Sequence, residues 1–512
     1  MRHFIIFGGS IIFFVFSSLN ILCINPQVSD HDLDYFRDNF EMGKNFLDAR
    51  QYAKAIEYYE KSKEEDSEYG WYSEYMIGKC YQYMNDWPNA LKYYHSSFER
   101  RPIRLEPLFD IAYYHFSIGE LDKAYDYLKI CEKIPYPSDD HLDVNDAIYK
   151  YKVKEYLSIC IPHFHTKTLA LNYIDKIVFN SEIESGAKHA NLVRSVDYLE
   201  NINIATFIPI QPLTPLLCDW SSERYKPCNP SIFKVNDGYV VNCRSVNYVQ
   251  WCPGHLIVDG SGKTKTKNMF IKYDKQFNKV FEKCVNEAPS LAIFNNYTQG
   301  LEDLRIFEFN DQIYFTATTC QLHQRNIPKI CLGKFECNNL DESVNVDNIQ
   351  LLHGPNYDRP EKNWMPFVVN GELFAIYSLS PFIIYKPCIS TGLCPEFINK
   401  DLGFDFTRLS GSASPIPFDD GYLLMVHEGI WNYRRYYLHR FFYFDKNFEL
   451  KKYSKPFSFK HKGIEMCCGM TLDHEEQNLI MAIGLEDREA YLCLVNVEDI
   501  RLLLKDINEL KN

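Results

Sequence analysis

The sequence predicts two domains, an all-α helical solenoid followed by an all-β propeller, and three observations carry that prediction. A chain of 512 residues exceeds what one hydrophobic core usually supports. From about Asp34, a pattern of small residues and aromatics repeats at a period of 35 and then 34 residues, the length of a helix pair. After about Asn201, short β-rich runs alternate with Asn, Asp and Gly turns at hairpin intervals of roughly 50 to 70 residues, which favours a propeller over a sandwich.

The first element, residues 1–24, starts Met1-Arg2-His3 and runs apolar from Phe4 to Leu22, broken by small and polar residues. It reads as a signal peptide or a signal anchor. Either keeps the positive N-terminus cytoplasmic and translocates the rest, so the expected location is the secretory pathway, lumenal or extracellular, with an N-terminal membrane anchor as one alternative. Seventeen cysteines suit an oxidising compartment. The spacings Cys331-x5-Cys337 and Cys388-x5-Cys394 suggest local loop staples rather than zinc ligands, against the alternative of buried free thiols. Asn296-Tyr297-Thr298 is the one N-glycosylation sequon, making Asn296 the expected acceptor. A net charge of −13 argues against nucleic-acid partners, which need a basic surface.

The second element, residues 34–200, repeats Gly43-Lys44-x10-Ala55-Ile56-Glu57-Tyr58-Tyr59 as Gly78-Lys79-x10-Ala90-Leu91-Lys92-Tyr93-Tyr94. A looser copy runs from Ala112-Tyr113 to Ala124-Tyr125-Asp126-Tyr127-Leu128. The pattern resembles tetratricopeptide repeats. Ala55, Ala90 and Ala124 are expected to let paired helices approach, and Tyr58, Tyr93 and Tyr127 to fill the space between neighbouring pairs. Gln51, Asp86 and Glu120 fall in turns, and the helix-patterned stretch His141 to about Leu199 reads as a degenerate fourth pair closing the array. Such arrays bind other chains or serve as passive supports, so a protein partner is one expectation for this element.

Residues 201–222, with Pro209, Pro212 and Pro215, read as a linker. In residues 223–500 the turn signals Asn236-Asp237-Gly238, Asn370-Gly371 and Asp419-Asp420-Gly421 separate candidate strands such as Gly238 to Cys243, Gln312 to Thr318, Gly421 to Val426 and Asn478 to Gly484. Aromatics make up 15% of the chain, and Tyr and Phe serve both as strand formers and as sugar-stacking faces.

Several polar clusters interrupt these strands. They include Asn229-Pro230-Ser231-Ile232, Arg244-Ser245-Val246-Asn247-Tyr248, Gly300-Leu301-Glu302-Asp303-Leu304-Arg305, Glu361-Lys362-Asn363-Trp364 and Met425-Val426-His427-Glu428. Further along come Arg434-Arg435-Tyr436-Tyr437-x-His439-Arg440 and Gly484-x-x-Asp487-Arg488-Glu489-Ala490. In this order and spacing they resemble the five-bladed propeller superfamily of β-mannoside phosphorylases and their hydrolase and mannosyltransferase relatives, over roughly residues 225 to 498. Repeats combined with such a propeller also resemble proteins classed as glycosyltransferases.

That resemblance implies an oligosaccharide or glycan ligand and mannosyl-type glycoside cleavage or transfer, by phosphorolysis, hydrolysis or glycosyl transfer. It makes Asp303 the proton donor, acting through a sugar hydroxyl, with Glu302 and Arg305 beside it. Leu304 stands where the family has proline. The substrate-binding candidates are Glu302, Arg305, Arg244, Asn247, Tyr248, Glu361, Lys362, Asn363, His427, Arg435 and His439. Inorganic phosphate is a candidate co-substrate, held by the cations of this set and by Arg440. Taken alone, Glu302-Asp303-x-Arg305 is a solvated turn or part of a polar site. His427 ends a core strand or points into the propeller mouth, and Arg434-Arg435 is an exposed charge pair or a phosphate clamp. No cofactor or metal is expected. Asp259-Gly260-Ser261-Gly262-Lys263-Thr264 lacks the first glycine of a nucleotide loop, and Asp30-His31-Asp32-Leu33-Asp34 reads as an acidic linker. The rival expectation is a non-catalytic glycan-binding or scaffold protein. Convergence of Asp303, Arg244, Lys362 and His427 on one funnel is what separates the two.

Overall fold

The computed structural model describes residues 5–7, 10–12, 30–63, 68–140, 142–211, 225–251, 254–287, 291, 294–338 and 343–511. Apart from a short hairpin pairing Ile5–Phe7 with Ser10–Ile12, the expected leader lies outside the described residues. No helix among those described is long and apolar enough to cross a membrane. The chain divides into two compact units, residues 1–149 and 150–512.

The first unit is built from three helix pairs. They are α1 (Asp30–Asp48) with α2 (Tyr52–Ser62), α3 (Glu68–Tyr83) with α4 (Trp87–Arg100), and α5 (Glu106–Ser117) with α6 (Leu121–Cys131). The acidic stretch expected as a linker is thus the start of α1. Each first helix ends on a left-handed residue, Arg50, Asn85 or Gly119, the conformation that turns a helix end back on itself. Gln51, Asp86 and Glu120 then precede the second helices, and the Asp86 carboxylate accepts the Asn89 N–H as an N-cap.

Packing within each pair explains the period. A Cβ at Gly43 would lie 2.7 Å from the Tyr59 ring, and one at Gly78 would lie 2.6 Å from that of Tyr94. In the third pair Ala112 replaces the glycine and Leu128 the tyrosine, both buried. One methyl is thereby gained on one helix where a ring is lost on the other. The sequence reading placed Tyr58, Tyr93 and Tyr127 between neighbouring pairs. All three are half-buried and stack on the first helix of their own pair, on Phe46, Tyr81 and His115 at 5.2, 5.6 and 5.7 Å. Tyr93 and Tyr127 also reach the preceding pair, the Tyr93 hydroxyl donating to Glu60 Oε1 at 2.7 Å and the Tyr127 ring lying 6.0 Å from that of His95. Tyr59 and Tyr94, one residue on, are the buried ones.

The second unit starts with α7 (Val153–Cys160), α8 (Lys167–Val178) and α9 (Ser185–Tyr198). Of these helices, expected to close the array, α8 and α9 pack on β-structure. Leu171, Ile174, Val178, Leu192 and Val196 share one core cluster with Phe367, Ile376, Phe382, Val426 and Phe442. Asp175 and Arg440, both fully buried, join α8 to the strand Arg434–Asp445 through bonds of 2.6 and 2.9 Å.

Five antiparallel sheets follow. The first comprises Lys226–Val235, Gly238–Val246, Thr264–Tyr273 and Lys279–Asn286. The second comprises Glu302–Phe309, Gln312–Thr319, Lys329–Asn338 and Ser343–Leu351, its last strand meeting the end of the first sheet in a short parallel pairing. The third runs through Met365–Val369, Glu372–Leu379, Phe382–Tyr385 and Glu396–Lys400. The fourth centres on the long hairpin Gly421–Asn432 and Arg434–Asp445, flanked by Leu409–Gly411, Ile416–Phe418 and Leu450–Tyr453. The fifth, Glu465–Leu472, Asn478–Leu485 and Glu489–Asn496, takes its fourth strand from Thr206–Pro209. The segment read as a linker therefore begins as a strand completing the last sheet, and residues 212–224 lie outside the described ones.

The three turn signals each join two paired strands, and Asn370-Gly371 has positive φ at both positions, as a two-residue hairpin turn requires. Cys388 and Cys394 are free thiols rather than a staple, as is Cys331. Asn296, the expected glycan acceptor, donates its side-chain amide to the backbone carbonyls of Cys320 and His323 at 2.6 and 2.8 Å.

Candidate active site

The first strands of several sheets carry an irregularity at the same end. Asn229 has φ +39° and lies where the register slips between Cys228 and Ser231. Asp303 has φ +51° and sits in the slip between Glu302 and Arg305. Asn363, just before Met365, has φ +62°, and Asp487, in the hairpin closing Asn478–Leu485 on Glu489–Asn496, has φ +51°. Asn and Asp tolerate the left-handed region better than other side chains, and a β-bulge re-aims a side chain out of the alternating pattern. Leu304, next after Asp303, is buried in the core with Leu301, Ile306 and Phe315. Here the bulge and that apolar anchor hold the loop shape.

All four residues line one polar pocket of about 580 Å³ that draws on four of the sheets and on the residues just before the third. Glycine lets the sheets approach there. A Cβ at Gly484 would lie 2.3 Å from the Asn229 nitrogen, and one at Gly411 would lie 2.3 Å from the Asn363 carbonyl oxygen.

Arg244 organises one side. Its Nη1 donates to Asp303 Oδ1 at 2.7 Å, and its Nη2 donates to Glu302 Oε1 at 3.1 Å and Tyr248 Oη at 3.0 Å. The Asn229 amide donates to the same Asp303 Oδ1 at 2.9 Å, leaving Oδ2 for a ligand. Burial alone would raise the Asp303 pKa. The Arg244 charge, the Asn229 hydrogen bond and the Arg305 charge outweigh it and hold the carboxyl at about 2. Asp487 is in the opposite state. Burial, only partly offset by Arg244 and reinforced by the charges of Asp303, Glu302 and Glu486, pushes it up to about 6.

On the opposite side lie Lys362, Asn363, His427, Arg435 and Tyr437. Burial, with the Arg305 and Arg435 charges, lowers His427 to about 3, so the ring is neutral. Its Nδ1 is 2.8 Å from Ser412 Oγ, which leaves Nε2 available to a ligand. Lys362 makes no hydrogen bond or ion pair among the described residues. The Arg435 guanidinium lies 4.9 Å over the Tyr437 ring, and its Nε has no hydrogen-bond partner there. Arg244 is already matched by two carboxylates, so the cations free to meet an anion are Lys362 and Arg435.

Of the sequence candidates, Asp303, Glu302, Arg244, Tyr248, Lys362, Asn363, His427 and Arg435 converge on this pocket. Four do not. Arg305 lies behind it, bonded to the Ser412 and Gly411 carbonyls and to Asn363 Oδ1 at 2.8, 3.3 and 3.2 Å, so it orients Asn363 without touching the cavity. Asn247 ties down the Asp259-Gly260-Ser261-Gly262 turn through Asp259 and Lys263, making that stretch a loop anchor. Glu361 is buried and accepts from Trp364 Nε1 at 3.2 Å. His439 bonds the Glu465 carbonyl under Phe459. Arg440 is engaged by Asp175 and is no phosphate ligand. Sequence reasoning quoted Asn229, Tyr437 and Asp487 within motifs but gave them no role, and it missed Arg408 and Ser410. Among the described residues no cluster of three His, Cys, Asp or Glu side chains could hold a metal ion.

No family model matches the chain, and no curated protein matches it. Among solved structures it is similar to the β-1,2-mannobiose phosphorylase from Listeria innocua, at 12% identity over 57% of this chain and 95% of that one, TM-score 0.39. It is also similar to a mannose phosphorylase from Leishmania mexicana in complex with phosphate ion, at 11% identity over 63% and 98%, TM-score 0.39. A third similarity is to an α-L-arabinofuranosidase from Lactobacillus brevis, at 10% identity over 53% and 90%, TM-score 0.35.

Proposed function

We propose that the protein is a carbohydrate-active enzyme of the β-mannoside phosphorylase, hydrolase and mannosyltransferase type, with Asp303 at the reaction centre. The observation that carries this reading is convergence. Asp303, Arg244, Lys362 and His427, chosen from four separate stretches of sequence, line one pocket. The five serial sheets with their N-terminal closing strand support reading the second unit as a five-bladed propeller. The Gly43/Tyr59, Gly78/Tyr94 and Ala112/Leu128 pairs support reading the first as tetratricopeptide-like repeats, which supply a surface for a protein partner. The apolar leader supports a secretory-pathway location.

The ionisation of Asp303 refines the chemistry. Cleavage of a glycosidic bond needs a proton on the leaving oxygen, whereas formation of one needs a proton removed from the acceptor hydroxyl. A carboxylate held at about 2 is ready to accept that proton, directly or through a sugar hydroxyl. A deprotonated Asp303 suits glycosyl transfer to an oligosaccharide acceptor, while phosphorolysis is the reverse step and needs the proton on Asp303 first, taken from dihydrogen phosphate as it enters. Neutral His427 and Asn363 bind sugar hydroxyls, while Lys362 and Arg435 receive the phosphate of a sugar phosphate donor or inorganic phosphate itself.

The test is incubation with mannosyl oligosaccharides with and without phosphate, and with mannose 1-phosphate as donor, for wild type and Asp303→Asn. Loss of a general acid–base costs ~10²–10⁴-fold in rate, so the variant should fall by that factor in both directions. Equal turnover by the two proteins would remove Asp303 from the mechanism.

A further inference from the structure

A second cleft, of about 780 Å³, adjoins the candidate active site, and its wall is cationic: Arg434, Lys460, Lys462 and Arg488, with His461 and a single carboxylate, Glu486. That concentration stands out on a chain whose net charge is −13, and the protein matches it only in part: Lys460 Nζ lies 3.9 Å from Glu489 and donates to Tyr491 Oη at 3.2 Å, and Lys462 Nζ donates to the Asp197 carbonyl at 3.2 Å. The carboxylate is already engaged, since Glu486 Oε1 accepts the Ile464 N–H at 3.0 Å. Lys462 is pulled below the ordinary lysine range by burial and then by the like charge of Lys167.

Three chain segments each put one residue in this cleft and a neighbour in the active-site pocket. They are Arg434 with Arg435, Lys462 with Ile464, and Glu486 with Asp487. Backbone bonds lock these segments together, from Tyr437 N to the Gly463 carbonyl at 2.9 Å and from Glu486 N to the Ile464 carbonyl at 2.8 Å. Arg434 also donates to the Lys462 carbonyl. From the inside, the buried Glu465 carboxylate accepts the N–H groups of Phe459, Lys460 and His461 at 2.6, 2.8 and 2.7 Å. The loop is therefore held with its three basic side chains at the surface, and the same three segments line both cavities.

We propose that the cationic cleft is a binding subsite for an anionic ester, phosphate or sulfate, carried on the glycan whose sugar occupies the neighbouring pocket. This rests on the sugar-site reading of that pocket and names its substrate class as charged oligosaccharides. Phosphate and sulfate esters present the same array of acceptor oxygens to Lys and Arg donors. A glycan spanning both cavities gains from the second contact without a second cost of association.

The experiment measures binding by calorimetry, and turnover in parallel, for one mannosyl oligosaccharide in three forms: neutral, phosphorylated and sulfated. Inorganic phosphate is included as a competitor. The proteins are wild type, Lys462→Gln/Arg488→Gln and Asp303→Asn. Two charge-assisted contacts of ~1 kcal/mol each correspond to about tenfold or more in affinity. Wild type should therefore bind an esterified form about tenfold more tightly than the neutral one, with the gain shrinking as salt rises. The double variant should bind all three like the neutral form, with kcat on the neutral form unchanged. Asp303→Asn should lose turnover but keep the preference for charge, which separates this subsite from the catalytic reading. Preference for one ester over the other identifies the group carried. Equal affinity of wild type for all three forms would overturn the proposal while leaving the catalytic reading in place. So would a charge preference that survives in the double variant, or one that free inorganic phosphate does not reduce.

Discussion

Replacing Asp487 with asparagine should stabilise the protein at alkaline pH and do little in acid. The carboxyl rises from 3.8 to about 6 in the folded chain, and each pKa unit corresponds to ~1.4 kcal/mol. Between those two values the native state keeps a proton that the unfolded state has lost. Stability then falls as pH rises through the window, and the full penalty is present above the folded pKa. It reaches ~3 kcal/mol if taken at face value and about 1–3 kcal/mol after allowance for solvent in the pocket. The amide of the variant would mimic the neutral acid at every pH. Asp487→Asn should therefore gain about 1–3 kcal/mol over wild type at pH 8 and a few tenths at pH 4. The assay is urea unfolding of both proteins at the two pH values, followed by a probe of the β-rich unit such as tryptophan fluorescence. Equal destabilisation by the variant at both pH values would refute the reasoning, because it would mean that the carboxylate is content where it sits and that only its shape matters.

Arg244→Ala should destabilise by ~3–5 kcal/mol near neutrality, because it strands Asp303 and Glu302 together. The loss should shrink on acidification, measured by the same unfolding series. Wild type should draw stability from Asp303 above pH 3.8 and lose it as pH falls through about 2, visible as acid unfolding that Asp303→Asn moderates. Asp175→Ala should cost ~3–5 kcal/mol by leaving Arg440 buried and unpaired, and Asp175→Leu/Arg440→Met should cost less. Gly78→Ala should cost ~1–3 kcal/mol by overpacking against Tyr94. Adding Tyr94→Leu should recover part of that loss, as a double-mutant cycle on thermal unfolding would reveal.

The two units were legible in the sequence for different reasons. The helix pairs announce themselves because the same contact recurs at a fixed interval, so Gly43 and Gly78 mark their own partners. Periodicity says which residues share a helix face but not which body that face meets. For that reason the pattern shows α7 to α9 as helices without showing that α8 and α9 pack on the β-structure of the second unit. In the site, order along the chain located Asp303, Arg244, Lys362 and His427. Arg305, Glu361, Asn247 and His439 are just as polar and sit in the same motifs, yet they face the supports of the pocket. A strand shows which residues alternate and not where a bulge turns the alternation over. The state of Asp303 was beyond the sequence altogether, since it depends on Arg244 and Asn229, each more than fifty positions away.

The strand Thr206–Pro209 has a consequence for how the molecule is made. Its partners lie in Glu489–Asn496, roughly 280 residues later, and closing so long a loop costs about 5 kcal/mol in chain entropy. The helix pairs, whose contacts are local, can form as they emerge from the ribosome. The fifth sheet must wait with an open edge until nearly the whole chain has been synthesised. During that interval Thr206–Pro209 is an unpaired ribbon that any passing β-edge can take, so chaperone dependence and sensitivity to C-terminal truncation should both trace to these four residues.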